Sequence, residues 1–176
     1  MKKKKTRRFF LFTLLNKIFS SKDDVKINEL RLLKEFAFLK NLSKRELSLF
    51  RNLLMRRDFK KGEVIFKEGY PHAVLYLLTK GEVEIFLEKE NENQVLASVT
   101  PYSEFGEIGL FIDSKRTASA RCLANTSMFA ISKSDFQVFV KNYPSVGIKI
   151  LYNLGINLSK TIVNTNKLLK SKNETE

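Results

Sequence analysis

An acid and an arginine nine positions apart are the residues of this chain that could bind a ligand together. Glu107 and Arg116 lie in the stretch FGEIGLFIDSKRTA, which runs from Phe105 to Ala118. The guanidinium of Arg116 is permanently positive, and its planar set of N–H donors suits phosphate oxygens. An ionised Glu107 accepts hydrogen bonds, so it can hold a sugar hydroxyl. The pair therefore predicts a site for a cyclic sugar phosphate that carries one negative charge.

The residues around this pair predict short elements that position it. A helix opening at Phe105 and Gly106 would point unpaired backbone N–H groups at an anion. Gly106 would let that backbone approach the ligand closely. A strand is expected to start at the small residues after Arg116. The alternative interpretation is that Glu107 and Arg116 form an ordinary surface ion pair and that Gly106 only makes a turn.

The same stretch resembles the phosphate-binding cassette of cyclic nucleotide-binding domains, whose pattern is F-G-E-[LI]-[AG]-L, a short loop, then R-[AST]-A. The resemblance covers roughly residues 36–170 and is nearest to the bacterial catabolite activator branch. Lys115 departs from it, because many members carry proline there, which should loosen the loop without removing a ligand contact. The binding residues that the resemblance implies in the cassette are Phe105, Gly106, Glu107, Ile108, Gly109, Arg116, Thr117 and Ala118.

The pattern of apolar residues predicts the fold. From residue 57 onwards, short apolar or alternating runs are separated by turns that contain glycine or asparagine. Such runs are typical of a sandwich or roll. We therefore expect a mainly β fold with flanking helices: a β-roll or jelly-roll of the cyclic nucleotide-binding type, with N-terminal helices and a long C-terminal helix. Val83, Ile85 and Leu87 alternate with glutamates, which predicts one core face and one solvent face.

Three helices are predicted from their ends. Ser43 and Glu46 fit a capping box that opens a helix through Leu54. Ser132 or Ser134 caps a second helix, which ends before Pro144. A longer helix runs from Pro144 to about residue 170, with proline in its first turn. Alternating steps of three and four give this helix the seam of a two-stranded coil, formed by Leu151, Leu154, Leu158, Thr161, Thr165 and Leu168.

The resemblance adds a role for this long helix. In the bacterial branch it pairs two subunits and covers the nucleotide base, so a homodimer is implied. Counting from Arg116 without gaps, Thr161 falls where that branch has a threonine that contacts adenine. Packing alone could equally explain a threonine at a helix seam. Cyclic AMP is favoured over cyclic GMP by Thr161 and by the likeness of GEIGLF to the bacterial branch. A threonine after the arginine also occurs in relatives that bind cyclic GMP, so both ligands stay open.

The residue counts argue against catalytic and metal sites. The chain has one histidine and one cysteine, which is too few for a His/Cys metal site. It has no G-x-S-x-G motif, no Cys/His pair and no Walker loop. We therefore expect no enzyme activity, no catalytic residues, no metal and no catalytic cofactor. Cys122 falls in an apparent strand and is predicted to be a buried, inert thiol.

Positive charge is concentrated at the N-terminus. The net charge is +13, and eight of the basic residues lie within residues 1–22, where no acid occurs. This segment also forms an apolar helical face, so an anionic membrane surface or a partner protein could bind it. A signal peptide and a disordered basic tail are the other interpretations. His72 is interpreted as a loop residue.

These observations give one overall expectation. The chain divides into a basic amphipathic extension (1–24), a cyclic nucleotide-binding domain (25–143) and a C-terminal dimerisation or lid helix with its tail (144–176). It is expected to be a cytoplasmic sensor that signals to an effector protein which the sequence does not identify. If residues 1–22 are an anchor, the sensor would lie at the inner face of the membrane. Sequence-specific DNA binding is not expected, because no helix-turn-helix follows. The alternative is a scaffold of the same fold that binds no nucleotide and docks to a membrane or partner through its basic N-terminus.

Overall fold

The computed structural model describes residues 27–173 except residues 72 and 91. In this part of the chain, two antiparallel sheets of four strands each are flanked by helices, which confirms the predicted mainly β fold. In chain order the elements are α1 (27–35), a 3₁₀ helix (Ala37–Leu39), α2 (Lys44–Arg51), β1 (Met55–Phe59), β2 (Val64–Phe66), β3 (Val74–Lys80), β4 (Val83–Leu87), β5 (Gln94–Val99), β6 (Glu104–Phe105), α3 (Ile108–Phe111), β7 (Ser119–Cys122), β8 (Thr126–Ser132), α4 (Lys133–Asn142) and α5 (Pro144–Asn173).

The order of the strands places the cassette between the two sheets. One sheet has the order β1-β8-β3-β6, and the other has the order β2-β7-β4-β5. The cassette leaves the first sheet at the end of β6 and enters the second at the start of β7. Strand β3 pairs with β6, where Tyr76 lies opposite Phe105, and β2 pairs with β7, where Phe66 lies opposite Ala120. Both sheets therefore contribute walls to the region around the cassette.

Two apolar clusters stabilise this arrangement. The larger lies between the helices and the sheet that contains β3 and β8, and it includes Phe36, Phe50 and Phe139. The smaller lies inside the roll and includes Leu78, Val83, Val99, Phe105, Ala120, Cys122 and Met128. The predicted burial of Cys122 is confirmed, and burial raises the pKa of its thiol, so the thiol stays protonated and unreactive.

The helix ends follow from capping residues. The capping box at the start of α2 is present: the Ser43 amide donates to the Glu46 carboxylate over 2.7 Å, and the Glu46 amide donates to the Ser43 hydroxyl over 3.3 Å. The predicted extension of this helix through Leu54 is wrong, because α2 ends at Arg51. Ser132 caps α4, since the Asp135 amide donates to its hydroxyl over 3.0 Å. The long helix begins at Pro144 as predicted.

The predicted alternation along β4 is right for its core face and wrong for its solvent face. Val83 and Ile85 pack in the cluster inside the roll as predicted, but Glu84 and Phe86 on the opposite face are buried as well. Glu84 is buried because the guanidinium of Arg121 on the neighbouring strand bonds its carboxylate over 2.6 Å. The same guanidinium covers the Phe86 ring, with Cζ 4.7 Å from the ring centre, and the period of the sequence does not reveal this partner on another strand.

The predicted seam of the long helix is also wrong in its first half. Leu154 is fully buried in the protein's own core, and Leu151 packs against the same cluster. Residues of a different face are exposed, namely Ile148, Tyr152, Ile156 and Val163. Leu151 and Leu154 are therefore explained by packing within the chain.

Some predictions lie outside the described residues. They are the basic extension, the position of His72 and the side chain of Leu168. The division of the chain into three parts stays a prediction, although α5 does begin at Pro144.

Candidate functional site

The cassette forms a tight turn between β6 and α3. Phe105 ends β6 and is buried, and Gly106 follows with φ of 79°, a conformation that favours glycine. Glu107 precedes the single-turn helix α3, which begins at Ile108. The helix therefore starts later than the predicted opening at Phe105 and Gly106. The chain then returns through a loop to Arg116 and to β7.

Arg116 is buried in a seat formed by three different segments. The whole residue is only 4% exposed. Its Nη2 atom donates a hydrogen bond to the carbonyl oxygen of Val74 over 2.8 Å. Its Cζ atom lies 3.9 Å from the centre of the Phe66 ring and 5.9 Å from that of Tyr76. The guanidinium thus rests on an aromatic surface, an arrangement that attracts cations.

Gly106 completes this seat by having no side chain. A Cβ atom at this position would lie 2.5 Å from Arg116 Nη1 and 2.8 Å from the Val74 carbonyl oxygen. Both distances are too short for real contacts. Two physical reasons therefore favour glycine at position 106: the backbone has a positive φ, and the guanidinium occupies the space of a side chain. Only the close approach of the backbone was part of the sequence prediction.

The guanidinium has hydrogen-bonding capacity to spare. Among the described residues, neither Nε nor Nη1 of Arg116 has a hydrogen-bond partner. Burial lowers the pKa of Arg116, which is the sign of a desolvated cation. The ion pairs of the described region include neither Arg116 nor Glu107. The interpretation of these two residues as an ordinary surface ion pair is therefore wrong. Buried polar atoms without partners are costly, so an anion at this place would stabilise the site.

Glu107 lies beside the same cavity. Burial raises the pKa of its carboxyl group, and the negative charge of nearby Glu104 adds to this effect, while Arg116 opposes it. A desolvated carboxylate is a strong acceptor for a hydroxyl group of a ligand. Glu104 itself faces away towards α5, where its carboxylate accepts a hydrogen bond from the Asn157 amide over 2.8 Å.

The predicted site residues converge on one cavity, with two exceptions. A cavity of about 170 Å³ is lined by Phe66, Ile85, Phe105, Gly106, Glu107, Ile108, Arg116, Thr117 and Ala118. Gly109 is buried within α3 and does not line it. Thr161 lies on α5, exposed, and its hydroxyl donates to the Asn157 carbonyl oxygen over 3.1 Å. The structure therefore brings seven of the nine predicted residues together, and the contact of Thr161 with a base stays a prediction.

Sequence reasoning missed the aromatic and aliphatic walls. Phe66 comes from β2 and Ile85 from β4, far from the cassette in sequence. Tyr76 of β3 stacks between Phe66 and Phe105, with ring centres 6.0 and 5.1 Å away. No local motif marks these residues, because their proximity depends on the registers of four strands. The alternation of apolar residues along β2 was the only available signal.

Other kinds of site find no support in the described part of the chain. There, no three His, Cys, Asp or Glu side chains cluster in a way that could hold a metal ion. None of the helices described is both long and apolar enough to span a bilayer.

The fold and the site together define a β-roll with a cavity of about 170 Å³ that Arg116 lines. A family model described as "Cyclic nucleotide-binding domain" matches residues 56–143, which is half of the chain and contains the whole cassette. The chain belongs to the cyclic nucleotide-binding domain family. The resemblance seen in the cassette is thereby confirmed.

Relatives with different outputs share this domain. The Cyclic AMP receptor protein of Thermus thermophilus is 29% identical over 106 residues, which are 60% of this chain and 49% of that protein. Human cGMP-dependent protein kinase 2 is 27% identical over 100 residues, which are 57% of this chain and 13% of the kinase. The chain thus spans half or less of the length of these relatives. A crystal structure of a cyclic nucleotide-binding domain from Methylobacillus flagellatus has a TM-score of 0.74 at 20% identity over 85% of each chain, a likeness of fold alone.

Proposed function

We propose that the chain is a sensor that binds a cyclic nucleotide in the cassette and relays the binding through α5 to a partner. The observation that carries this proposal is the buried guanidinium of Arg116, whose Nε and Nη1 atoms have no partner in the described region. A cyclic phosphodiester carries a single negative charge, which one arginine neutralises. The chain acts as a ligand-binding module and not as an enzyme.

The cavity walls support this class of ligand. Arg116 and the backbone amides of residues 106–109 would hold the phosphate, and Thr117 would assist through its backbone or hydroxyl. Glu107 would accept a hydrogen bond from the ribose 2′-hydroxyl. Phe66 and Ile85 offer an apolar surface to the rest of the nucleotide. The narrow cavity suits the sugar phosphate, and the base would extend towards α5.

Cyclic AMP is the ligand that we favour. The cassette sequence GEIGLF and Thr161 are nearest to the bacterial branch, and the Thermus relative is named a Cyclic AMP receptor protein. The similarity to a cGMP-dependent protein kinase makes cyclic GMP the competing ligand. Thr161 would discriminate between them only if α5 brings its hydroxyl to the base edge.

The contacts of α5 support a relay from the cassette. Asn157 of this helix binds Glu104, which lies three residues before Glu107. Closer to the start of the helix, the Asn153 amide donates to the Phe38 carbonyl oxygen over 2.9 Å. A change in the cassette would therefore act on α5 through Glu104, while the base of the helix stays attached to the N-terminal helical layer.

The exposed face of α5 supports a homodimer. Tyr152, Ile156 and Val163 form an exposed apolar strip along the helix, on the same side as Gly155. A Cβ atom on Gly155 would meet nothing within 4 Å, so a second helix could approach its backbone closely. Ile156→Glu should then shift the protein from dimer to monomer in analytical ultracentrifugation. A wild-type protein that sediments as a monomer at all concentrations would contradict this interface.

The N-terminal segment supports a peripheral location at the inner face of the membrane. Its basic residues would bind anionic lipids, with about 1 kcal/mol from each charge near the surface. Deletion of residues 1–22 should abolish sedimentation with vesicles that contain phosphatidylserine. Vesicle binding that is unaltered by the deletion would sink this part of the proposal.

Calorimetric titration tests the central proposal. The full chain is titrated with cyclic AMP, with cyclic GMP and with 5′-AMP, which carries the same base but an open phosphate. Binding of one cyclic nucleotide in the micromolar range, without binding of 5′-AMP, is the expected result. If neither cyclic nucleotide gives a binding signal, the sensor hypothesis is wrong, and the hypothesis of a scaffold that binds no nucleotide is favoured.

A further inference from the structure

We propose that Phe66 is a positioning residue that holds the guanidinium of Arg116 ready for the phosphate. This inference rests on the proposed function and adds a residue that the cassette motif does not contain. Phe66 lies on β2, fifty positions before Arg116, and its ring lies 3.9 Å from the Arg116 Cζ atom. Its role is to place the arginine, since Arg116 provides the charge that contacts the ligand.

The Phe66 ring is itself held in place by two further aromatic rings. Tyr76 stacks on it with an interplanar angle of 23°, and Phe105 stacks on Tyr76 with an angle of 18°. The three rings come from β2, β3 and β6, so both sheets contribute to the stack. Such aromatic contacts stabilise a ring beyond its burial alone. The orientation of the ring under Arg116 is therefore fixed by three strands and not by the loop that precedes Arg116.

The ring fixes the guanidinium without using its donors. Buried arginines are usually held by carboxylates, which would occupy the same N–H groups that a phosphate needs. Arg116 instead has a ring against its face and a single carbonyl acceptor, Val74, at Nη2. Gly106 leaves room for Nη1. The seat thus restricts the side chain while Nε and Nη1 stay available for an anion.

Loss of the ring should reduce affinity because the arginine would then be ordered only when the ligand binds. Ordering a side chain with many rotamers costs about 0.5–1.5 kcal/mol, which corresponds to a loss of affinity of roughly 2-fold to 12-fold. We expect Phe66→Leu to weaken cyclic nucleotide binding by this factor. Phe66→Tyr keeps the ring face and should bind like the wild type. Phe66→Met, which has a flexible apolar side chain and no ring, is a second variant in case leucine perturbs the strand.

Phe86→Leu is the matched control. Phe86 is buried on β4, a strand of the same sheet as β2, and its ring lies 4.7 Å from the Cζ atom of a different arginine, Arg121. The substitution removes a second arginine–phenylalanine contact and a similar apolar volume, but it leaves the cavity unchanged. It should lower the melting temperature without changing the affinity for the nucleotide.

A spectroscopic measurement separates positioning from general structural damage. In the ligand-free wild type, the ring current of Phe66 should shift the Arg116 Nε–H signal upfield in an NMR spectrum. The signal is identified by its loss in Arg116→Lys. It should move towards the position of an exposed arginine in Phe66→Leu and stay in place in Phe66→Tyr and in Phe86→Leu.

The outcomes distinguish this inference from the function on which it rests. A displaced Arg116 signal together with weaker binding in both ring-free variants, and recovery in Phe66→Tyr, supports the positioning role. If Phe66→Leu binds the cyclic nucleotide as tightly as the wild type does, the positioning role is wrong and the proposed function is unaffected. A wild type that binds no cyclic nucleotide overturns the proposed function and this inference with it.

Discussion

Two arginines five positions apart have opposite environments in this protein. Arg121 on β7 lies over the ring of Phe86 and forms an ion pair with Glu84 over 2.6 Å. Arg116, just before the same strand, lies over the ring of Phe66, but among the described residues it has only the Val74 carbonyl as a hydrogen-bond partner. Both are arginine–phenylalanine contacts, and only one of them has a carboxylate.

In the proposed function, the difference separates a structural role from a ligand-binding role. The charge of Arg121 is neutralised within the protein, so its contribution is to the pairing of β4 with β7. The charge of Arg116 is buried and has no ion-pair partner among the described residues, so the proposed ligand would supply it. Each arginine should therefore affect either stability or binding, and substitutions can test this separation.

The largest expected effect comes from replacing the two arginines in turn. Arg116→Leu should weaken cyclic nucleotide binding by at least about 100-fold, because it removes the charge and the hydrogen bonds to the phosphate. Arg121→Leu should leave binding unchanged but lower the free energy of unfolding by roughly 1–3 kcal/mol, since Glu84 stays buried without its partner. Calorimetric titration and urea denaturation of both variants measure the two effects. If both variants lost nucleotide binding equally, the proposed difference between the roles of the two arginines would be wrong.

A second comparison uses two glycines. Gly106→Ala should weaken binding at least about 10-fold, because the new Cβ atom would displace the Arg116 guanidinium. Gly62 also has a positive φ, of 86°, but a Cβ atom there would meet nothing within 4 Å. Gly62→Ala should therefore show only the backbone penalty of about 1–2 kcal/mol and normal binding. If Gly106→Ala bound as well as Gly62→Ala, the steric account of the seat would be wrong.

The acid of the site should give a smaller effect with a characteristic pH dependence. Burial raises the pKa of Glu107 above its usual 4.5. The folded protein then binds more protons than the unfolded chain in the pH range between the two values, so Glu107 makes stability fall as pH rises through that range. Glu107→Gln removes this pH-dependent loss of stability, so the variant should be more stable than the wild type at neutral pH. Its affinity for the nucleotide should fall about 3-fold to 10-fold.

Thermal denaturation from pH 4 to pH 8 measures the Glu107 effect. The melting temperatures of the wild type and of Glu107→Gln should converge at low pH and diverge as pH rises. Parallel profiles over the whole range would show that the carboxyl group is not desolvated in the folded protein.

The smallest expected effect lies far from the cavity. The ammonium group of Lys149 bonds Glu46 over 2.7 Å, and this bond, with the Ser43 amide, lowers the pKa of Glu46 to about 2. A lowered pKa stabilises the fold above pH 4.5, and the stabilisation is lost as pH falls from about 4.5 to about 2. Lys149→Met should reduce stability at neutral pH by less than about 1 kcal/mol, because both groups are partly exposed.

Acid denaturation compares Lys149→Met with the wild type. The difference in stability between them should shrink as pH falls through this window, and nucleotide affinity at neutral pH should be equal. A change in affinity would mean that the base of α5 is coupled to the cavity more strongly than its contacts indicate.

The cassette could be predicted from the sequence because its residues are local. The glycine, the acid and the arginine act within one short stretch, so their spacing was sufficient to place Glu107 and Arg116 beside one cavity. The helix caps at Ser43 and Ser132 were also predictable, because a cap depends on residues within one turn.

The features that the sequence did not predict depend on contacts between residues far apart in the chain. The seat of Arg116 depends on Phe66 and Tyr76, which only the pairing of four strands brings to the cassette. The burial of Glu84 depends on Arg121, its partner on the neighbouring strand. Leu154 had the spacing of a coiled-coil seam, but the same spacing serves equally well for packing against the chain's own core.

The length of α5 has a mechanical consequence. The helix has 30 residues, a length of about 45 Å, and its fully buried side chains end at Leu154. Every residue from Ser159 to Lys167 is exposed, so in the proposed relay the distal half would act as a lever that pivots at Leu154. Glu104 bonds Asn157, about 4.5 Å along the axis from this pivot, so a shift of about 0.8 Å at that bond would tilt the helix by about 10°. The axis from Leu154 to Asn173 is about 28 Å long, so its tip would move by about 5 Å.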